Sequence, residues 1–445
     1  MKALIIAAGK GSRLNDLTMD KPKALAQLLG LTLIERIILT AKQACIDDFI
    51  IVTGFRGGKI KEKLGDGERY GVKITYIENN DWKKGNGVSV LSAKELLDEP
   101  FILLMSDHIF EHRILEDLRE TKFEGDECFL CVDKAPAQYI DMEDATKVKI
   151  ENDRIIDIGK ELKEYDAVDC GIFLLSPIVF EALKGSIKEG DETLSGGIRT
   201  LAGRGKMKPF DIKDGFWIDI DTKVNYGNAE KILCKRLVKQ SDGPVSRLLN
   251  RTVSIRISKP LLKTKITPDT ISIISFGIAV LSALFFSLGN YSSVIIGGLL
   301  AQFSSIVDGC DGEVARLKFQ QTDYGGWFDA VLDRYADALI ILGMTYGCWR
   351  LNQDIEIWLI GFIALVGSFM NSYTADRYDA AFRKKIKTTG FRIRIGRDVR
   401  LFLIMTGALF NQVFYTLIII GILTNIESIR RLICLKEKHP IIGAN

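Results

Sequence analysis

Short apolar runs, each cut off by a polar or glycine-rich turn, mark the first half of the chain, and long apolar runs mark the second. Ala3 to Ala8 ends at Gly9-Lys10-Gly11, and Phe49 to Val52 and Phe101 to Met105 are runs of the same kind. Between them lie helix-like stretches, Leu33 to Ala44 and Val88 to Leu97. Alternating strand and helix patterns predict an α/β layer with a largely parallel, buried sheet over residues 1–230. Residues 231–268 break this pattern, because lysines and arginines such as Lys235, Lys239, Arg251 and Lys259 are interspersed with apolar residues. That pattern predicts a helical linker and then an interfacial helix against lipid headgroups. From 269 onward the apolar runs approach the ~20 residues that a bilayer requires. The spans read as 270–289, 292–316, 326–349, 355–375, 397–411 and 413–431, followed by a tail over 434–445. The fifth is short, and it also reads as one long helix with the sixth.

Loop charge orients these spans. The turns near 290 and 412 carry no Lys or Arg, whereas Arg383, Lys384, Lys385, Lys387, Arg392, Arg394, Arg397 and Arg400 crowd one loop. By the positive-inside rule both termini and Asp308, Asp311, Asp329 and Asp333 face the cytoplasm, which requires an even number of spans and favours six. The net charge of +3 gives no case for nucleic acid. The eight cysteines are scattered, as in a reducing compartment, and Cys128-Phe-Leu-Cys131 sits in an apolar run that reads as core. Three histidines nearly exclude chemistry built on imidazole. The run after Met1 is too short for a signal peptide.

Four carboxylates interrupt the membrane pattern. Asp308 and Asp311 lie three residues apart, and Asp329 and Asp333 lie four apart, so each pair shares a helix face. Acids at membrane depth are costly unless they face a cavity or bind a cation. Two facing pairs make an all-oxygen pocket suited to Mg2+, Mn2+ or Ca2+ rather than zinc. The run D-x2-D-G-x2-A-R-x8-G-x3-D-x3-D, from Asp308 through Gly312, Ala315, Arg316 and Gly325 to Asp333, resembles the signature of the CDP-alcohol phosphotransferase family. The resemblance implies that Asp308, Asp311, Asp329 and Asp333 hold metal, with Asp333 as the base. It places the nucleotide against Gly312, Ala315, Arg316 and Gly325. A phosphorylated acceptor needs its own cations, for which Arg377, Arg394, Arg397 and Arg400 are the candidates. Asp337, one turn beyond Asp333, belongs to the site or pairs with an arginine.

Near the N-terminus, Gly9-Lys10-Gly11-Ser12-Arg13-Leu14 follows the first strand, and Pro22-Lys23 comes soon after. Glycines let backbone N–H groups approach phosphates, and Arg13 and Lys23 add positive charge. Asp107 stands at a strand end, where ligands bind in open α/β sheets, and Asp219 and Asp221 close the domain. This set resembles the sugar-phosphate nucleotidyltransferase family, nearest its inositol-1-phosphate cytidylyltransferases. The resemblance implies Gly9, Gly11, Ser12, Arg13 and Lys23 on the triphosphate, with Arg13 and Lys23 catalytic. It puts Asn86, Gly87 and Ser89 on the base, and Mg2+ on Asp107 with Asp219 or Asp221. A phosphate monoester is already anionic at pH 7, so this step needs no general base, in keeping with the scarcity of histidine.

Together the halves resemble bifunctional inositol-1-phosphate cytidylyltransferase / di-myo-inositol phosphate phosphate synthases. The implied fold is an α/β Rossmann-like nucleotidyltransferase domain followed by an all-α six-helix transmembrane domain. The implied substrates are CTP, inositol-1-phosphate and CDP-inositol; the implied partner is the lipid bilayer, with room for a homodimer through the transmembrane domain. Two other readings stay open: a phospholipid headgroup transferase using a CDP-lipid, and a membrane-anchored nucleotide-sensing protein.

Overall fold

The computed structural model describes residues 1–14, 21–122, 125–239, 242–382 and 395–438. They form two compact units, Met1–Leu233 and Cys234–Asn445. The strands of the first are β1 (Lys2–Ala7), β2 (Gln27–Leu28), β3 (Leu31–Thr32), β4 (Asp48–Thr53), β5 (Lys73–Glu78), β6 (Phe101–Met105), β7 (His108–Phe110), β8 (Cys128–Asp133), β9 (Lys147–Glu151), β10 (Arg154–Gly159), β11 (Ala167–Leu175), β12 (Met207–Asp211) and β13 (Trp217–Asp219). Its helices are α1 (Leu33–Gln43), α2 (Gly57–Leu64), α3 (Asn86–Leu91), α4 (His112–Arg119), α5 (Ile178–Lys188), α6 (Leu194–Gly203) and α7 (Lys223–Lys235), the last running two residues past the unit's end.

The main sheet runs β10-β9-β11-β6-β1-β4-β5, with β8 between β11 and β12. It is mixed rather than largely parallel. Strands β6, β1, β4 and β5 are parallel, but β11 is antiparallel to β6, β8 and β9. The apolar pattern misleads about direction because β11 is covered on both faces, and a strand buried on both faces reads the same in either orientation. Alternate residues of β1 feed opposite cores: Ala3 and Ile5 pack on one side, Leu4 and Ile6 on the other. The chain returns to pair β6 beside β1, on the side opposite β4, so a crevice opens at the carboxyl ends of β1 and β6.

Helix α1 starts at a capping box. Thr32 Oγ1 accepts from Glu35 N, while the Glu35 carboxylate accepts from Thr32 N at 2.9 Å. The helix expected from Val88 to Leu97 instead stops at Leu91 and gives way to a 3-10 turn over Lys94–Leu96. Ser92 Oγ donates to Ser89 O at 2.7 Å, a local bond that competes with the helix ladder.

The second unit holds α8 (Arg251–Leu261), α9 (Pro268–Ser287), α10 (Tyr291–Leu317), α11 (Asp323–Asn352), α12 (Glu356–Phe382), α13 (Arg397–Leu409) and α14 (Val413–Lys438). Four of these, α9, α10, α12 and α14, contain stretches long and apolar enough to cross a membrane. Helix α11 carries Asp329, Asp333, Arg334 and Asp337, and α13 has 13 residues. Residues 397–438 form two helices, not one, because Asn411 adopts a left-handed backbone and Gln412 N closes back on Gly407 O. Close packing uses small residues: a Cβ on Gly343 would strike the Ala283 backbone, and one on Gly347 the Phe286 carbonyl. Helix α8, expected as an interfacial element, packs against α10. Its buried Ser254 and Ser258 donate to the fully buried Glu313 of α10 at 2.6 and 2.7 Å, and Arg251 reaches the same carboxylate at 2.8 Å.

Candidate active sites

The first site gathers at the crevice between β1 and β6. Gly11 has φ +68°, and a Cβ there would run into the side chain of Lys23. Glycine thus lets the nearly buried Lys23 stem pass beneath the loop. Its ammonium pairs with Asp107 at 2.5 Å, with Asp221 through a short contact, and with Asp219 at 3.8 Å. Arg13, half exposed, bridges Asp144 at 2.5 Å and Asp221 at 2.8 Å. Gly9 stands in open space, and the Ser12 side chain lies outside the described residues.

Asp107 follows β6. Its carbonyl accepts from Ile220 N, and the β7–β13 pair sets Asp219 opposite His108. Asp107, His108 and Asp219 offer ligand atoms within 4.8 Å of one another, as do Asp144, Asp219 and Asp221. Against the cost of burial, Lys23 and then His108 hold Asp107 well below the carboxylate range. Burial pushes Asp219 up to about 7, and the nearby Asp107 adds to it. Although burial disfavours its charge, Asp219 and Asp107 push His108 up to about 9. Asp219 Oδ1 is buried without a hydrogen-bond partner. Crowded carboxylates with an orphaned oxygen fit a divalent cation of oxygen preference.

A cavity of about 140 Å3 adjoins these acids, lined by Asn86, His108, Tyr139, Asp141, Asp144, Thr146, Lys160, Asp169, Asp219 and Asn225 among others. Asn86 faces it while its Oδ1 accepts from Leu194 N at 2.8 Å. Gly87 and Ser89 do not line it. Gly87 is packed against the backbone of Glu192 and Thr193, and the buried Ser89 accepts from Asn79 at 2.9 Å. Sequence reasoning missed His108, Asp144, Lys160 and Asp169. His108 adjoins Asp107 in sequence and stacks on Trp217 at 6.0 Å, but the others arrive from separate strands and loops with no shared spacing.

In the second site, Asp308 of α10 and Asp329 and Asp333 of α11 bring carboxylate oxygens within 4.8 Å. Asp311 accepts from Ser272 at 2.6 Å, and Asp308 from Ser275 at 3.3 Å, both on α9. Asp329 Oδ1 is buried without a partner, so this cluster also fits a divalent cation. Asp311, Gly312, Ala315, Arg316, Gly325 and Asp329 line one cavity of about 200 Å3. Arg397, the first residue of α13, contacts Asp333 at 2.5 Å, Asp308 at 3.0 Å and Asp337 at 3.1 Å. Arg400 is buried and bound to Asp337 at 2.6 Å, so Asp337 pairs with two arginines. Arg377 is exposed over the Tyr373 ring, and Arg394 lies outside the described residues, as do Arg383, Lys384, Lys385, Lys387 and Arg392.

Residues 2–236 match the nucleotidyl transferase family, and residues 265–426 match the CDP-alcohol phosphatidyltransferase family. A protein of Rubrobacter xylanophilus named bifunctional IPC transferase and DIPP synthase is 38% identical over 440 residues, covering 98% of this chain and 96% of that protein. One of the same name from Aquifex aeolicus is 36% identical, covering 96% of each chain. A solved inositol-1-phosphate CTP transferase from T. maritima covers 52% of this chain and 95% of its own, with 27% identity and a TM-score of 0.47. With both halves matched in order and the full-length relatives matched nearly end to end, the chain belongs to the bifunctional IPC transferase and DIPP synthase family.

Proposed function

We propose that the chain makes a CDP-alcohol in its first unit and consumes it in its second. CTP and inositol-1-phosphate give CDP-inositol and pyrophosphate. CDP-inositol and a second inositol-1-phosphate then give di-myo-inositol phosphate phosphate and CMP. The observation that carries this reading is one chain holding two acid-lined sites, each within its own family match.

In the first step the phosphate of inositol-1-phosphate attacks the α-phosphorus of CTP, and pyrophosphate leaves. Lys23 and Arg13 hold phosphate oxygens, which relieves the repulsion between two anions. Asp107 with Asp219 or Asp221 would hold Mg2+, which neutralises the triphosphate when bound. Asp141, Asp169 and Asn225 offer the neighbouring cavity hydrogen-bond partners for a hydroxyl-rich ring.

The second step needs a base, because a hydroxyl is far less acidic than a phosphate monoester. Asp333 takes the hydroxyl proton of the acceptor inositol. The oxygen bonds to the phosphorus that carries the donor inositol, and CMP departs. Asp308, Asp311 and Asp329 would hold Mg2+ or Mn2+ against the pyrophosphate. Of the arginines considered for the acceptor phosphate, Arg397 is the one in contact with Asp308 and Asp333, which supports that role for it. The Lys- and Arg-rich run over 383–400 supports, by the positive-inside rule, a cytoplasmic side for the N-terminal unit, both sites and the C-terminus.

The test is purified protein in detergent with CTP, Mg2+ and a panel of polyol phosphates, without lipid. Pyrophosphate and then CMP should appear with inositol-1-phosphate. CMP appearing only after addition of a CDP-lipid would overturn the second step in favour of headgroup transfer to or from lipid.

A further inference from the structure

The cavity that Asp311, Gly312 and Asp329 line also has two cations on its wall, Arg316 and Lys239. Arg316 comes from the acidic motif of α10. Lys239 comes from the segment between α7 and α8, outside any motif. Among the described residues neither makes an ion pair, and Arg316 Nε is buried without a hydrogen-bond partner. Burial, and then the guanidiniums of Arg316 and Arg251, push the Lys239 ammonium below the ordinary lysine range. Two cations beside one cavity, with no protein anion paired to either, provide for an anion brought in from outside.

The position of Lys239 is fixed by a chain of polar contacts. Its backbone N–H donates to Asp242 Oδ2 at 3.0 Å. Arg251 holds Asp242 at 2.9 and 3.2 Å, and the same guanidinium reaches Glu313 at 2.8 Å and Gly309 O at 3.2 Å. Glu313 is fully buried and adjoins Gly312 in the motif. The Lys239 segment is thereby tied to the helix that bears Asp311.

We propose that Lys239 binds the donor nucleotide of the membrane site, gripping with Arg316 the phosphate of CDP-inositol that leaves as CMP, and that Asp242, Arg251 and Glu313 position it. The inference rests on the transferase reading above. When the bond between the two phosphates breaks, the electron pair goes to the bridging oxygen that stays with CMP, and a cation there stabilises that charge. The assignment to donor rather than acceptor follows from place: Arg397, beside Asp308 and Asp333, is not part of this cavity wall.

The experiment uses the full chain in detergent, with CDP-inositol and inositol-1-phosphate varied separately and CMP release as the readout. Lys239→Gln should raise the KM for CDP-inositol about tenfold or more, the loss expected for one charged hydrogen-bond partner. The KM for inositol-1-phosphate should stay unchanged, and so should pyrophosphate release from CTP. Lys239→Arg should recover most of the donor affinity, and Asp242→Asn, which loosens the positioning chain, should raise the same constant by a smaller factor. An unchanged donor KM in Lys239→Gln, or donor and acceptor constants rising together, overturns the assignment. Wild-type protein that releases no CMP from CDP-inositol would instead sink the transferase reading itself.

Discussion

At the scale of single residues, the two sites divide the chemistry. Asp107→Ala removes a carboxylate of the first site only, so pyrophosphate release from CTP should vanish while CMP release from supplied CDP-inositol continues. Asp333→Asn should do the reverse, because an amide keeps the shape but takes no proton; removal of a positioned base costs about 10²–10⁴ in rate. Assaying both half-reactions on both variants checks the division, and loss of both activities in a folded Asp107→Ala protein would refute it. The arginines separate in another way. Arg400 and Asp337 are each 4% exposed and bound to one another. Arg400→Gln leaves a buried carboxylate short of its partner, a loss of about 3–5 kcal/mol. Arg377 is exposed against a tyrosine ring, so Arg377→Gln should leave the melting temperature nearly unchanged. Thermal melts of the two variants in one detergent compare them directly. A merely mild loss in Arg400→Gln would mean that Arg397 alone suffices for Asp337.

At the scale of elements, α1 offers a pH test. The Glu35 carboxylate is 5% exposed. Burial works against its charge, but the N–H and hydroxyl of Thr32, the Tyr70 hydroxyl and Lys63 outweigh that and lower its pKa. A depressed carboxylate stabilises the fold above its unfolded value, about 4.3, and the contribution fades as pH falls through the folded value. Glu35→Gln keeps the box but not the charge. It should cost about 1 kcal/mol at pH 7, the difference between a charge-assisted and a neutral bond. The gap to wild type should close in acid, as melts of the first unit's transition across pH would show; a gap constant with pH contradicts the account. Elements were legible where the pattern is local. The run Ala3–Ala8, the α1 stretch and the separate apolar runs of the second half all appear as elements in nearly the expected places. Strand direction was not legible, since burial on both faces erases it, and the break after Leu91 depends on a side-chain bond that no periodicity reveals.

At the scale of the whole molecule, the four acids of the second site were legible as a set because motif spacing puts each pair on one helix face, and Asp107, Asp219 and Asp221 of the first were legible through the family resemblance. What surrounds them was not. Asp144 and Lys160 reach the first site from the two flanks of the β9–β10 hairpin, and Glu313, which reads as a spacer in the motif, instead anchors α8. Such groups meet only through the fold. Helix α13 carries a consequence of its own. Its 13 residues span about 20 Å, roughly 10 Å less than the hydrocarbon thickness of a bilayer. The turn at Phe410–Gln412 lies at one end, and Arg397, touching Asp308 and Asp333, at the other. Were that turn set at the far boundary of a bilayer, the proposed reacting groups would lie beneath the near one, where water is scarce. An activated CDP-inositol has two fates, capture by the intended alcohol or loss to hydrolysis, and depth favours the first. CMP formed per di-myo-inositol phosphate phosphate should therefore stay close to one, and CDP-inositol incubated with the protein but no acceptor should survive. Rapid release of CMP without acceptor would mark a wet site. A dry one spends each molecule of CTP on a product rather than on a futile cycle.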